Sequence, residues 1–125
     1  MTQEGQTPTE EQMVVVPPDV DPNDVEQQWL NLAPGPKASA LRGLYEEQQK
    51  LVVELQRMQM QKGAEIAAAI VRARAAQELD QPELKQEIAD KEIVPKRQEL
   101  KDLEAQIAKE TKLLEAYSTI GRGII

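Results

Sequence analysis

The chain contains no histidine, no cysteine and no phenylalanine. Lacking histidine, it has no access to the commonest general base and transition-metal ligand. Lacking cysteine, it can form no disulfide, thiolate nucleophile or cysteine-held zinc site, an absence that fits a reducing compartment. Trp29, Tyr45 and Tyr117 are the only aromatics in 125 residues. A compact core that draws its buried area from rings is therefore excluded. Long apolar runs are missing too. The longest, Ile66–Val71, has six residues, against the roughly twenty of a membrane span. The opening MTQEGQTPTEEQ is polar and acidic, without the basic start and apolar stretch of a secretory signal. The reading predicts no membrane insertion and no export by signal peptide.

What is present is Leu, Ile, Val and Ala, with many Glu, Gln and Lys between them. That mixture favours long helices or coiled coil over a layered α/β domain. The net charge of −7 is uneven. Residues 1–38 hold seven acids and one base, residues 39–79 five acids and six bases, and residues 82–120 nine acids and seven bases. The acidity belongs to the N-terminal part. No basic stripe suits a phosphate backbone, so no nucleic-acid partner is expected.

Six of the eight prolines fall in residues 1–38. Proline fixes φ, lacks an N–H and pushes its predecessor into extended backbone. Residues 1–20 therefore read as an extended acidic arm. Val14, Val15 and Val16, β-branched and followed by Pro17 and Pro18, suit strand addition or an apolar groove on a partner protein. Residues 21–38 read as a short helix and a Pro/Gly linker. Asp21 is the expected N-cap with Pro22 at the first helical position, Val25, Trp29 and Leu32 share one face, and APGP ends the helix. Trp29 is either an anchor in a partner's pocket or a cap on the protein's own helices.

Residues 39–120 read as a coiled-coil body. Leu41, Leu44, Gln48, Leu51, Leu55 and Met58 alternate spacings of three and four, a heptad seam. Lys62 holds the next expected place, which predicts a stutter near Gln61–Gly63 before the seam resumes at Ile66, Ile70 and Ala73. A new start follows. Asp80 is the expected N-cap, Pro82 falls in the first turn, and Glu83 stands at capping-box spacing. Pro95 should kink the helix, because its ring meets the carbonyl of Lys91. Leu100, Leu103, Ile107, Leu114 and Tyr117 form a second seam, interrupted by Glu110. Residues 121–125 read as a tip, with Gly121 and Gly123 stopping the helix.

Folding the chain near Asp80 lays the Leu-rich zone 41–58 on 102–119 and the Ala-rich zone 64–76 on 84–96. The arms also match in length, at 41 and 37 residues. The predicted fold is thus all-α, two long helices in a coiled-coil hairpin, with one long kinked rod as the alternative. The weakness of the hairpin is its turn, since no glycine lies between Ala64 and Ile120 and tight helix reversals favour a left-handed residue. Tyr45, Val52, Val53 and Val71 do not share one seam with Leu41, Leu55 and Ile70, so further helices are expected from copies of the chain or a larger partner.

Candidate chemistry is sparse. Asp19, Asp21 and Asn23 match three positions of a calcium loop, but Asp24 and Leu30 stand where it needs glycine and glutamate. The remaining acids read as solvated helix faces with bases three or four residues on. Arg72 and Arg74, two residues apart, do not share a face toward a phosphate. No catalytic residue, metal ligand or cofactor is assigned, and no enzymatic activity is expected.

The arm EEQMVVVPPDVDP, the Gln/Glu/Ala-rich helices without Cys or His, and the terminus GRGII together resemble small virion proteins of tailed bacteriophages. That resemblance implies a scaffolding, internal or head/tail assembly component. The reading is a non-enzymatic structural or assembly protein, a homo-oligomer or part of a larger assembly, docking through its arm. The alternative is a cellular chaperone or adaptor of prefoldin-like hairpin shape, although prefoldins place short strands between their helices and Arg72–Leu84 shows no strand alternation.

Overall fold

The computed structural model describes residues 21–124. Four α-helices and one π-helical turn make up the described chain, with no strand among those residues: α1 Val25–Asn31, α2 Pro34–Glu78, α3 Pro82–Ile88, the π turn Ala89–Ile93, and α4 Val94–Ile124. Helix 34–78 packs against the returning segment 82–123, a helical hairpin. The alternative of one kinked rod is thereby removed. None of the helices is long and apolar enough to cross a membrane.

The reversal is built without glycine. Asp80 takes the left-handed conformation, at φ 56°. The Gln81 N–H donates to the Ala76 carbonyl at 2.8 Å and the Asp80 N–H to the Gln77 carbonyl at 3.1 Å. That pair of bonds is a Schellman motif, which satisfies carbonyls left open at a helix end. Asp tolerates this conformation better than most residues. Asp80 therefore ends α2 and does not cap α3, contrary to its expected role. Gln81 is the N-cap, without a side-chain hydrogen bond, and Pro82 opens α3.

Other boundaries also differ from the sequence reading. Asp24, not Asp21, caps α1 by accepting from the Gln27 N–H at 3.0 Å, while Asp21 accepts from the Asn23 N–H. The segment APGP starts a helix where a linker was expected. Pro34 and Pro36 lie in the first turn of α2, where a missing N–H costs nothing, and the Lys37 N–H donates to the Ala33 carbonyl. Gly121 and Gly123 do not stop α4, which runs to Ile124. Glycine weakens a helix by about 1 kcal/mol but does not forbid it. A Cβ at Gly121 would lie 3.1 Å from Leu41 Cδ2, so a larger residue there would press on that side chain. Pro95 is met by the π turn just before it, in which the Val94 N–H reaches back five residues to Ala89.

The described residues form two compact units, one up to Glu46 together with the chain from Tyr117, the other Glu47–Ala116. In the second unit the inner side of α2 reads Gln48, Val52, Leu55, Gln59, Lys62, Ile66, Ala69, Ala73 and Ala76, each buried or half-buried. Their spacing alternates four and three without a break, so the expected stutter does not exist. Ala69 is wholly buried, and its small side chain lets the facing helix approach. The opposing side carries Ile88, Ile93, Lys96, Leu100, Leu103, Ile107, Glu110 and Leu114. Ile88 and Ile93 are five residues apart, the interval the π turn spans. In the first unit Leu41, Tyr45, Tyr117 and Gly121 are half-buried.

The left-handed turn gives a direct test. Asp80→Val should lower stability by about 1–2 kcal/mol, the cost of this conformation for an L-residue with a Cβ. Asp80→Gly should be neutral or stabilising. Chemical denaturation followed by circular dichroism reads both.

Candidate functional site

In the second unit one hydrogen-bonded pair crosses the hairpin at 62 residues' separation. The Gln48 side-chain amide donates to the Glu110 carbonyl at 2.9 Å and to its carboxylate at 2.8 Å. Gln48 is the buried polar residue of the interior. Both of its N–H groups are thereby matched, and only one register satisfies them. Farther along, Lys62 bridges to Glu99 at 2.6 Å and to Glu65 at 3.4 Å, and Lys96 reaches Glu65 at 3.6 Å. Arg72 pairs with Glu92 across the helices. Arg74 pairs along its own helix with Glu78.

These ion pairs shift titration in the directions their geometry requires. The hydrogen bond that Lys62 donates to Glu99 raises the Lys62 pKa, with burial opposing it. The charge of Lys62 lowers the Glu65 pKa, partly opposed by burial and helped by Lys96. On α2, the hydrogen bond from Arg57 lowers that of Glu54.

The flanks of this hairpin differ. One starts with Arg72 and Glu92 and then steps by sevens: Glu65 with Glu99, Met58 with Gln106, Leu51 with Leu113. The first two layers are charged and bridged as described. The last two carry no charge, and Leu51, Met58 and Leu113 remain 39%, 39% and 41% exposed. The opposite flank presents Gln49, Gln56, Gly63 and, toward the turn, the single apolar Ile70 on α2, with Arg97, Glu104 and Thr111 on α4. The uncharged half of the first flank is therefore the candidate interaction surface of this unit.

In the first unit the Lys37 ammonium sits 4.6 Å from the centroid of the Trp29 ring, a cation–π contact. Trp29 also lines an open groove of about 480 Å³ with Val25, Glu26, Thr119, Ile120 and Gly123. A second groove of about 250 Å³ lies between Leu41, Tyr45, Tyr117 and Gly121. Trp29 is thus half-buried beside its own helices. The other arm residues assigned to docking, Val14, Val15 and Val16, lie outside the described residues.

Of the seam positions read from the sequence, Leu55 and Ile66 are buried, and Leu41, Leu100, Leu103, Ile107 and Leu114 are half-buried. Leu44 and Ile70 stand 47% and 42% exposed, and with Leu51 they fall outside the buried line. Val52, Ala69 and Ala76 are buried in their place. Ala69 and Ala76 were overlooked, and Val52, expected to lie off the seam, is instead buried in it, because the bulkier leucines at alternative spacings drew the pattern. An unbroken run of four and three from Gln48 to Ala76 was the available signal. No family model, characterised protein or solved structure matches this chain.

Two outcomes follow from the crossing contacts. Gln48→Leu alone should cost about 1–2 kcal/mol, since it removes a charge-assisted hydrogen bond and strands its partner. Gln48→Leu with Glu110→Leu should recover this loss and exceed wild-type stability in thermal melts, while loosening the choice of register. The second concerns acid. Because the folded-state pKa of Glu65 lies below its ordinary value of 4.5, its contribution is complete above that value. It is lost as pH falls through the depressed folded value. Lys62→Met should therefore decline less steeply than wild type in denaturation curves taken between neutral pH and the acid limb.

Proposed function

We propose that this chain is a non-enzymatic structural or assembly protein. It works by pairing its helical hairpin with further copies of itself and by docking its N-terminal arm, residues 1–20, on a partner protein. The observation that carries the proposal is the uncharged half-flank. Leu51, Met58 and Leu113 stay accessible on a hairpin whose internal register is already fixed by Gln48, Glu110 and three crossing ion-pair residues of α2. A rigid hairpin with spare apolar surface suits a spacer, clamp or assembly factor.

The resemblance to small virion proteins of tailed bacteriophages directs the proposal toward a scaffold, internal or head/tail assembly component. It is carried by EEQMVVVPPDVDP, the Gln/Glu/Ala-rich helices and GRGII. The helices are joined by a short Schellman turn at Leu79–Gln81, which weighs against a prefoldin-like chaperone with strands between its helices.

The test separates hairpin from arm. The full chain should sediment as a concentration-dependent oligomer and capture a structural partner. A chain lacking residues 1–20 should keep its helical circular dichroism and self-association but lose the capture. A monomer at every concentration, with partner capture unaffected by the deletion, overturns the proposal.

A further inference from the structure

The self-association proposed above leaves open which surface is used and in which arrangement. We infer that a second copy of this chain docks on the flank bearing Leu51, Met58 and Leu113, with α2 of each copy against α4 of the other and Glu54 facing Lys109 of the second copy.

The inference starts from register. The Arg72–Glu92 ion pair defines which positions stand opposite one another on this flank. Stepping by sevens in opposite directions along α2 and α4 reaches Leu51 and Leu113 as one layer and Met58 and Gln106 as the next. Rims border these layers. On α2 the rim residue between Leu51 and Met58 is Glu54. On α4 the rim residue between Gln106 and Leu113 is Lys109. An acid and a base therefore stand level with each other on opposite edges of one uncharged strip.

Lys109 makes no ion pair among the described residues. Glu54 is bound by Arg57 on its own helix, yet its side chain stays 54% exposed, and a carboxylate can accept several hydrogen bonds.

Two half-turns can place a second copy on this strip. A half-turn about an axis along the helices lays α2 on the other copy's α4. The four leucines, Leu51 and Leu113 from each copy, then form one layer, and each Glu54 meets Lys109 of the second copy. A half-turn about an axis across the helices lays α2 on α2 and brings the acidic rim, Glu47 and Glu54, against its own copy. Like charges at close range disfavour that arrangement, and complementary edges favour the first. Past Met58 and Gln106 the flank turns to Glu65 and Glu99. Two copies of that layer would crowd four carboxylates together, so the contact ends there.

The absence of cysteine makes the test direct. Full-length Glu54→Cys and Lys109→Cys chains are mixed in equal amounts and treated with a short bis-maleimide. Cross-linked pairs should contain one chain of each kind in clear excess over either chain with itself. In sedimentation equilibrium, Leu51→Glu with Leu113→Glu should convert the oligomer to monomer with unchanged helical circular dichroism, since neither residue is buried. Glu54→Lys and Lys109→Glu should each weaken association several-fold at low salt and less at high salt, since exposed ion pairs are individually weak and screened, and together should restore it. Cross-links of Glu54→Cys chains with themselves would overturn the arrangement. Cross-links that vanish when residues 1–20 are deleted would show that the arm, and not the strip, holds the copies together, and would equally overturn the inference. Oligomers that survive the double leucine change would move self-association to another surface while leaving the functional proposal standing. A wild-type chain that is monomeric throughout would remove both.

Discussion

A pair of helices packed side by side offers each partner a single seam for excluding water. A chain with almost no aromatic rings must fill that seam with aliphatic side chains and alanine. In the second unit the buried apolar residues are few: Val52, Leu55, Ile66, Ala69, Ala76 and Ile88. Apolar burial is non-directional, and a seam of repeating small and aliphatic residues tolerates sliding by a heptad. Register must then come from interactions with direction. The amide of Gln48 on the backbone carbonyl and carboxylate of Glu110 supplies it at one place. Opposite charges at Lys62, Glu65 and Arg72 supply it at others. The exposed ion pairs add little stability singly, so their value lies in the slipped pairings they oppose.

The hairpin and its fold point were legible in the sequence because they rest on coarse quantities. Two arms of similar length, a Leu-rich zone facing a Leu-rich zone and an Ala-rich zone facing an aliphatic one all survive small errors of phase. The seam itself was less legible. Leu41, Gln48 and Leu55 belong to two heptad lines at once, one completed by Leu44, Leu51 and Met58, the other by Tyr45, Val52 and Gln59. Hydrophobicity alone chooses the first. Continuity chooses the second, because only that line runs on through Lys62, Ile66, Ala69, Ala73 and Ala76 without a break. Gln59 and Lys62 disguised it, yet long polar side chains can lay an apolar stem along a seam and send the head outward. Lys62 does so toward Glu99.

Local punctuation misled in a related way. Proline and glycine were read as breaks, but their effect depends on where in a helix they fall. Pro34 and Pro36 occupy a first turn that has no use for their missing N–H groups. Pro95 follows a π turn, which adds a residue to the spacing and carries the buried line from Ile88 to Ile93. Gly121 admits Leu41 where a larger residue would press on it. The expected glycine of the reversal was absent because Asp80 does its work, and an aspartate two residues before a proline reads equally well as a cap. Nothing in composition separates those two roles. The Schellman hydrogen bonds do.

Seen along its length, the flank of the hairpin changes character at one heptad boundary. Toward the turn, Arg72, Glu65, Glu92 and Glu99 are engaged in ion pairs within the chain. Beyond it, Met58, Leu51, Gln106 and Leu113 satisfy nothing and oppose nothing. If the uncharged positions served only to stabilise the hairpin, burial would be expected to accompany them, yet they stay about two-fifths exposed. If solubility alone shaped the flank, the charged pattern would continue past Glu65. The division is what a helical pair needs when part of its surface must close on itself and the rest must stay available to another chain. In the proposed pairing, an acid on one rim and a base on the other orient the second copy before any apolar contact forms.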